Sequence, residues 1–335
     1  MIRSGSRRAF VVSLVALAAS PTIVFELQNI YAQQPALPRR IGVLLVARSP
    51  ESKDWQAFRQ GLRDAGYTEG RDMVIEWRSA NGDYARVPEL AADLVRSKVE
   101  VIVTESTVAT RAVMRATSSI PIVMAIVADP LGSGLVTNLA HPGGNVTGVS
   151  LMTAELAAKR LQLLKESIPG LTRVAVLWNL STPFHPKAVE DLKAAAPSLS
   201  LELKFVNAQK LDDFGPAFSA VRLARAQALY VLDDPFFFFH LKTLLKLASQ
   251  ARMPVLYGER DFVDAGGLMS YGTNLGELFR RSAGYVDKIL RGANPGNLPI
   301  EQPTKFDLVV NLKSAKALGI TIPQSILLRA DEVIR

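Results

Sequence analysis

Hydroxyls and carboxylates gather where apolar runs end. The run Val99–Thr104 stops at Thr104-Glu105-Ser106-Thr107, and a helical pattern, Val108–Thr117, follows at once. Hydroxyls beside the free N–H groups of a helix start form an anion site, and a carboxylate would sit well on Ser106 and Thr107. The same hydroxyls can also serve as plain caps. Glu105 would oppose an anion there unless it points away or pairs with a cation. A second group, Asp233-Asp234, ends the run Ala228–Leu232. Paired carboxylates can serve a metal or acid–base chemistry. The simpler reading is an anchor for a ligand ammonium together with a helix N-cap before Pro235. Arg48-Ser49, Asp129-Pro130, Asn179-Leu180-Ser181 and Gly258-Glu259 close four further runs. The candidate ligand-binding set is Ser49, Ser106, Thr107, Asp129, Asn179, Asp233 and Tyr257, the last near the end of Val255–Gly258. Four aromatics, Phe236 to Phe239, follow Pro235. They cannot all face one core from a helix, so one or two can line a cleft and stack on a ligand ring.

The missing chemistry narrows the class. The 335 residues hold no cysteine and three histidines, His141, His185 and His240. That excludes a disulfide scaffold, a thiolate metal site and a thiol nucleophile, and it argues against a multi-histidine metal centre. No phosphate-binding G-x-x-x-x-G-K-[ST] occurs. The loop after the first apolar run, Ala47-Arg48-Ser49-Pro50, does not suit a dinucleotide pyrophosphate. Neither G-x-S-x-G nor H-E-x-x-H is present. No catalytic residue, metal or cofactor is implied.

These polar groups need a scaffold that sets them at strand ends. Ile41–Ala47 is near-continuously apolar, the mark of a strand buried on both faces. In Asp54–Tyr67, Trp55, Phe58, Leu62 and Ala65 fall on one helical face, with Gly66 at the stop. The alternation continues with strands Met73–Trp77, Val99–Thr104, Ile120–Val127 and Val146–Leu151. Between them lie helices Tyr84–Val95, Val108–Thr117 and Leu131–Leu139. After the long helix Ala154–Ser167 it restarts, with strands Arg173–Trp178, Leu201–Asn207, Ala228–Leu232, Val255–Gly258 and Gly267–Tyr271. The helices of this second series are Pro186–Ala195, Phe214–Ala224 and Leu241–Gln250. Helix Leu275–Leu290, strand Phe306–Leu312 and a terminal helical region from Lys313 complete the pattern. Repeated βα alternation implies α/β architecture with mainly parallel sheets, and ligands then bind beyond the carboxyl ends of the strands. No Ser- or Gly-rich linker separates the two series, which favours two lobes sharing crossovers over two domains on a string.

The formal charge is +8, and +6 once residues 1–32 are set aside. The basic residues are scattered, so no nucleic-acid partner is expected. Residues 1–8 are basic, Ala9–Ala19 is apolar, and Tyr31-Ala32 offers a small residue for cleavage. That is the layout of a secretory signal peptide over residues 1–32, of Sec or twin-arginine type around Arg7-Arg8. The expected location is the periplasm.

Several stretches together resemble a known family. They include Arg40-Ile41-Gly42-Val43-Leu44, Phe58–Tyr67 (FRQGLRDAGY), His141–Gly148 (HPGGNVTG), Arg173–Asn179 (RVAVLWN), Gly266–Gly272 (GGLMSYG), Gln302–Phe306 (QPTKF) and Ala330–Ile334 (ADEVI). The chain resembles the extracytoplasmic substrate-binding proteins of ABC transporters with the type I periplasmic-binding fold, in the group related to tryptophan- and tyrosine-binding components. The resemblance implies a two-lobed α/β protein with three hinge crossings, near Val149–Thr153, Tyr271–Asn274 and Pro303–Val309. Lobe 1 would comprise residues 39–150 plus 274–304, and lobe 2 residues 151–273 plus 305–335. It implies a non-enzymatic, monomeric protein that binds a small carboxylate-bearing solute, amino-acid-like or aromatic, between the lobes and hands it to an ABC permease. A sensor's periplasmic partner and an exported α/β enzyme are the alternatives.

Overall fold

The computed structural model describes residues 38–335, so the expected signal segment lies outside the described residues. The first sheet contains β1 (Arg39–Leu45), β2 (Met73–Ser79), β3 (Val101–Thr104), β4 (Ile122–Val127) and β5 (Val146–Ser150). They stand in the order β2-β1-β3-β4-β5, and every described pairing is parallel. In the register of β1, Ile41 lies opposite both Ile75 and Val101. Alternate β1 residues serve opposite faces, the two-residue period of a strand. Ile41, Val43 and Leu45 meet Trp55, Phe58 and Leu62 of α1 (Lys53–Asp64). Leu44 and Val46 meet Val87, Ala91 and Leu94 of α2 (Val87–Arg96) and Ala109 and Val113 of α3 (Thr107–Ala116). Burial on both faces is why β1 reads as an unbroken apolar run.

The second sheet contains β6 (Arg173–Trp178), β7 (Glu202–Asn207), β8 (Ala228–Val231), β9 (Val255–Tyr257), β10 (Met269–Gly272), β11 (Asp307–Asn311) and β12 (Glu332–Ile334). Its order is β12-β11-β10-β9-β8-β6-β7, parallel among the described strands except for the antiparallel pair β10–β11. Helices α4 (Thr153–Ser167) and α5 (His185–Ala195) cover one face. Helices α6 (Phe214–Leu223), α7 (Pro235–Phe239) and α8 (Leu241–Gln250) cover the other. A short α9 (Arg260–Asp264) follows β9.

Three crossings join the sheets: β5 to α4, β10 to α10 (Leu275–Leu290), and the segment after α10 to β11. Helix α10 returns to the first sheet. Its stripe of Leu275, Leu278, Phe279, Val286 and Ile289 joins Trp55 and Phe58 in one core, and Phe279 lies edge-on to Trp55 at 4.7 Å. Gly61 lets α1 and α10 approach closely, since a Cβ there would lie 2.7 Å from the Arg280 carbonyl. Beyond α10, Glu301 extends the edge of β5 through Ser150 N–H to Glu301 O at 2.9 Å and Glu301 N–H to Gly148 O at 3.0 Å. Helices α11 (Leu312–Leu318) and α12 (Gln324–Leu327) complete the second lobe.

One expected element does not form. Residues 131–139 make turns, not a helix. Asp129 gathers the start of the segment, accepting from Gly132 N–H on its side chain (2.8 Å) and from Ser133 N–H on its carbonyl (3.0 Å). Gly134 takes φ +66°, and two glycines within three residues cost a helix about 1 kcal/mol each. The strand β12 and the short helices α9 and α12 were not legible as separate elements, and α7 was foreseen only through its N-cap before Pro235.

Candidate functional site

The carboxyl ends of the strands of the two sheets face one another, so the residues just beyond them decide what the cleft can hold. At the end of β3 the main chain turns into α3. Ser106 is its N-cap, with Oγ accepting from Ala109 N–H at 3.1 Å. Thr104 and Thr110 share a hydroxyl bond of 2.7 Å, and Thr110 also donates to Ser106 O. Thr107 differs. It is 4% exposed, and its Oγ1 has no partner among the described residues. Buried hydroxyls without a partner cost about 1–3 kcal/mol, which makes Thr107 a candidate contact for a group from outside the chain.

Glu105 points away from this spot. Its Oε1 accepts from the N–H groups of Val46, Ala47 and Arg48 at 2.5, 2.6 and 3.1 Å, and Oε2 accepts from Trp55 Nε1 at 3.3 Å. Burial still pushes its carboxyl up. Its work is to fix the β1–α1 loop, and that loop presents Arg48.

Arg48 is 4% exposed. Its Nε donates to Asp54 at 3.0 Å within its own lobe, and its Nη2 pairs with Glu259 of the other lobe. Its guanidinium lies 4.2 Å from the centre of the Phe238 ring. Burial opposes its charge, but Glu259, Asp54, Glu105 and Asp261 outweigh that and raise its pKa. Burial pushes Glu259 up to about 8, with Arg48 pulling back and Asp233, Asp261 and Asp54 pushing further.

Other contacts bridge the lobes beside it. Tyr84 OH donates to Asp234 Oδ2 at 3.1 Å, and Thr182 donates to the same oxygen. Lys53 pairs with Asp261 at 3.1 Å and Asp264 at 3.4 Å. Gly82, at φ +78°, makes room for Phe239, whose ring would stand 2.7 Å from a Cβ there.

Asp233 is not a free carboxylate. Arg160, buried on α4, donates to its Oδ2 at 2.7 Å and to the Tyr271 carbonyl at 2.7 Å. Its other oxygen lies against Gly258, where no Cβ would fit. Asp234 is the N-cap of α7, accepting from Phe236 and Phe237 N–H at 2.9 and 3.2 Å. Asn179 Nδ2 donates to Asp234 Oδ1 at 3.4 Å. His185 accepts from Asn179 N–H on Nδ1 and donates to Asp233 O from Nε2, at 2.9 and 3.0 Å. That network sets the tautomer, and burial holds the His185 pKa down.

Three expected candidates sit elsewhere. Ser49 is exposed in a turn and caps Glu51 N–H at 3.1 Å. Asp129 is spent on the turn described above. Tyr257 is a core residue, stacked on Phe262 with centroids 4.3 Å apart. Its strand position sends the ring to the α8 face, whereas the cleft lies beyond the strand end. Sequence reasoning missed Tyr84, Thr182, Arg160 and the Arg48–Glu259 pairing. The one signal available was a charge directly after an apolar run, which both Arg48 and Glu259 show. Beside the Arg48 layer a cavity of about 280 Å³ opens between Lys53, Asp54, Gly258, Asp261, Thr273 and Asn274.

A sequence model of the ABC transporter substrate binding protein family matches residues 41–334. The chain belongs to this family. This substrate-binding protein is 27% identical over 283 residues to the tyrosine-binding protein of Clostridioides difficile, covering 84% of this chain and 81% of that one. It superposes on an ABC domain from Streptococcus pneumonia solved in complex with L-Trp, with TM-score 0.81, 27% identity, and coverage of 89% and 100%. For a ligand-free, open substrate binding protein from Clostridium difficile the TM-score is 0.63 at 26% identity, covering 88% and 99%. At matched identity, the arrangement of this substrate-binding protein is closer to the ligand complex than to the open structure. The fold is that of the type I periplasmic binding proteins. Among the described residues no helix is long and apolar enough to cross a membrane, and no cluster of three or more His, Asp or Glu side chains is placed to hold a metal.

Proposed function

We propose that the chain is the extracytoplasmic solute-binding component of an ABC importer, which takes a small carboxylate-bearing solute into the interlobe cleft and delivers it to a permease. The observation that carries this is Thr107: a buried hydroxyl without a partner, at the N-terminus of α3, beside the cap residue Ser106. A helix N-terminus with a free hydroxyl suits a carboxylate. Relatives named for tyrosine binding and solved with L-Trp favour an amino-acid-like or aromatic solute. Asp233, with one oxygen on Arg160 and the other over Gly258, is the acid that a solute ammonium would meet from the second lobe. Asn179 acts behind it by holding Asp234.

Movement would occur between residues 39–150 plus 274–304 and residues 151–273 plus 305–335, about the three crossings. Residues 1–32 would direct export to the periplasm and be removed. The chain would work as a monomer and catalyse nothing. A thermal-shift panel tests the solute class: L-Tyr, L-Trp and L-Phe, the corresponding aromatic acids without an amine, and sugars as controls. A solute raises the melting temperature only if it binds the folded state. Stabilisation by sugars and not by carboxylates would overturn the proposal.

A further inference from the structure

We propose that the second lobe carries a guanidinium-binding box, made by the face of Phe238 and the carboxylate of Glu259, and that the first lobe fills it with its own Arg48. The protein thus closes on a built-in cation as well as on its solute. The box is rigid. Phe238 lies edge-on to Phe262 at 6.3 Å, and Phe262 is itself stacked on Tyr257 at 4.3 Å. Glu259 stands at the start of α9. The guest is equally well set. Glu105 clamps the N–H groups of residues 46–48, and Asp54 holds one edge of the guanidinium.

Arg48 therefore meets lobe 2 as a bound cation would, with one edge on a carboxylate and one face on an aromatic ring. Both contacts strengthen when water is excluded, and here the residue is only 4% exposed. When the lobes part, Arg48 keeps Asp54 and Phe279, 5.9 Å behind it, but loses Glu259 and Phe238. Lysine would not replace it, since a compact ammonium cannot pair edgewise and stack at once.

The test needs no solute, so it stands or falls apart from the transport proposal. The chain has no cysteine, so dyes on Glu89→Cys and Lys246→Cys report lobe separation by single-molecule FRET. At about pH 9, where Glu259 is ionised, the parent should show a closed population without solute. Arg48→Gly should lower its closed-to-open ratio by at least about tenfold. In Arg48→Gly, about 20 mM methylguanidinium should restore closure, and sodium chloride at equal ionic strength should not. If Arg48→Gly fails to fold, Phe238→Leu removes the box from the other side and should open the parent to the same extent. A folded Arg48→Gly as closed as the parent, no rescue by methylguanidinium, or a Phe238→Leu that stays closed would each overturn the proposal.

Discussion

Asp233→Asn looks like a clean test of an ammonium anchor, but the structure gives it another outcome. Asp233 neutralises Arg160, whose guanidinium is 3% exposed at its side chain, with the Asp233 side chain 10% exposed. Removing one partner of such a pair leaves a buried charge uncompensated, at a cost of about 3–5 kcal/mol. Asparagine keeps an oxygen for the hydrogen bond, which places the loss at the low end, about 3 kcal/mol. For a chain of this length that is about 5 °C in Tm. Arg160→Met should cost more, because it also frees the Tyr271 carbonyl just before the second crossing. The double variant should recover part of the loss, since neither charge is then left alone. Differential scanning calorimetry of the four proteins without solute measures this directly. If both single variants melt within about 1 °C of the parent, the pairing argument is wrong. A loss of solute affinity in Asp233→Asn should then be corrected for stability before it is assigned to an ammonium contact.

Thr107→Ala should leave Tm unchanged or slightly raised and weaken binding of a carboxylate solute by about 1.5–3 kcal/mol, read by calorimetry; a drop in Tm with affinity intact would make the hydroxyl structural. Glu259 gives a pH dependence: its pKa is about 8 in the folded chain against an ordinary 4.5. The folded state therefore holds an extra proton between those values, and that stabilisation is lost as pH rises through 8. Burial lowers the His185 pKa, which acts the other way below its ordinary 6.5, so the window to read is pH 6.5 to 8. Glu259→Gln should flatten the fall in Tm across that window, with Arg48, Asp54, Asp233 and Asp261 still in place; an unchanged slope would point to another group. Phe279→Ala should cost about 3–5 kcal/mol by emptying the centre of the α1–α10 core, measurable by urea unfolding.

The α/β class was legible because parallel strands buried on both faces must be written as apolar runs, as in Ile41–Leu45 and Val174–Leu177. The cap at Asp234 was legible because Asp before Pro at a strand end has few other uses. Residues 131–139 misled because their Leu, Val and Leu spacing mimics a helix while Gly132 and Gly134 favour turns. The partners of the site were hidden for a different reason. Arg160 and Asp233 lie 73 residues apart, and Arg48 and Glu259 lie 211 apart. Spacing reports neighbours on one element, not side chains that meet only when two sheets are brought face to face. Tyr257 was chosen for its place at a strand end, but the pleat sets its ring in one buried face of the sheet and Leu256 in the other, so neither side chain is aimed beyond the strand.

The return of α10 to the first sheet sets the order in which the protein can be completed. Ile41, Val43, Leu45, Trp55 and Phe58 are made early, yet their cover includes Leu278, Phe279 and Val286, more than 200 residues later. The edge of β5 likewise waits for Glu301. A chain that has emerged only as far as β10 carries five of the seven strands of the second sheet and a first sheet with one face half bare. Such contacts, distant along the chain, slow folding and leave apolar surface open to aggregation in the interval. The first lobe is begun first and finished late, so a truncation anywhere between residues 274 and 301 should harm the N-terminal half of the molecule more than the segment it removes would indicate.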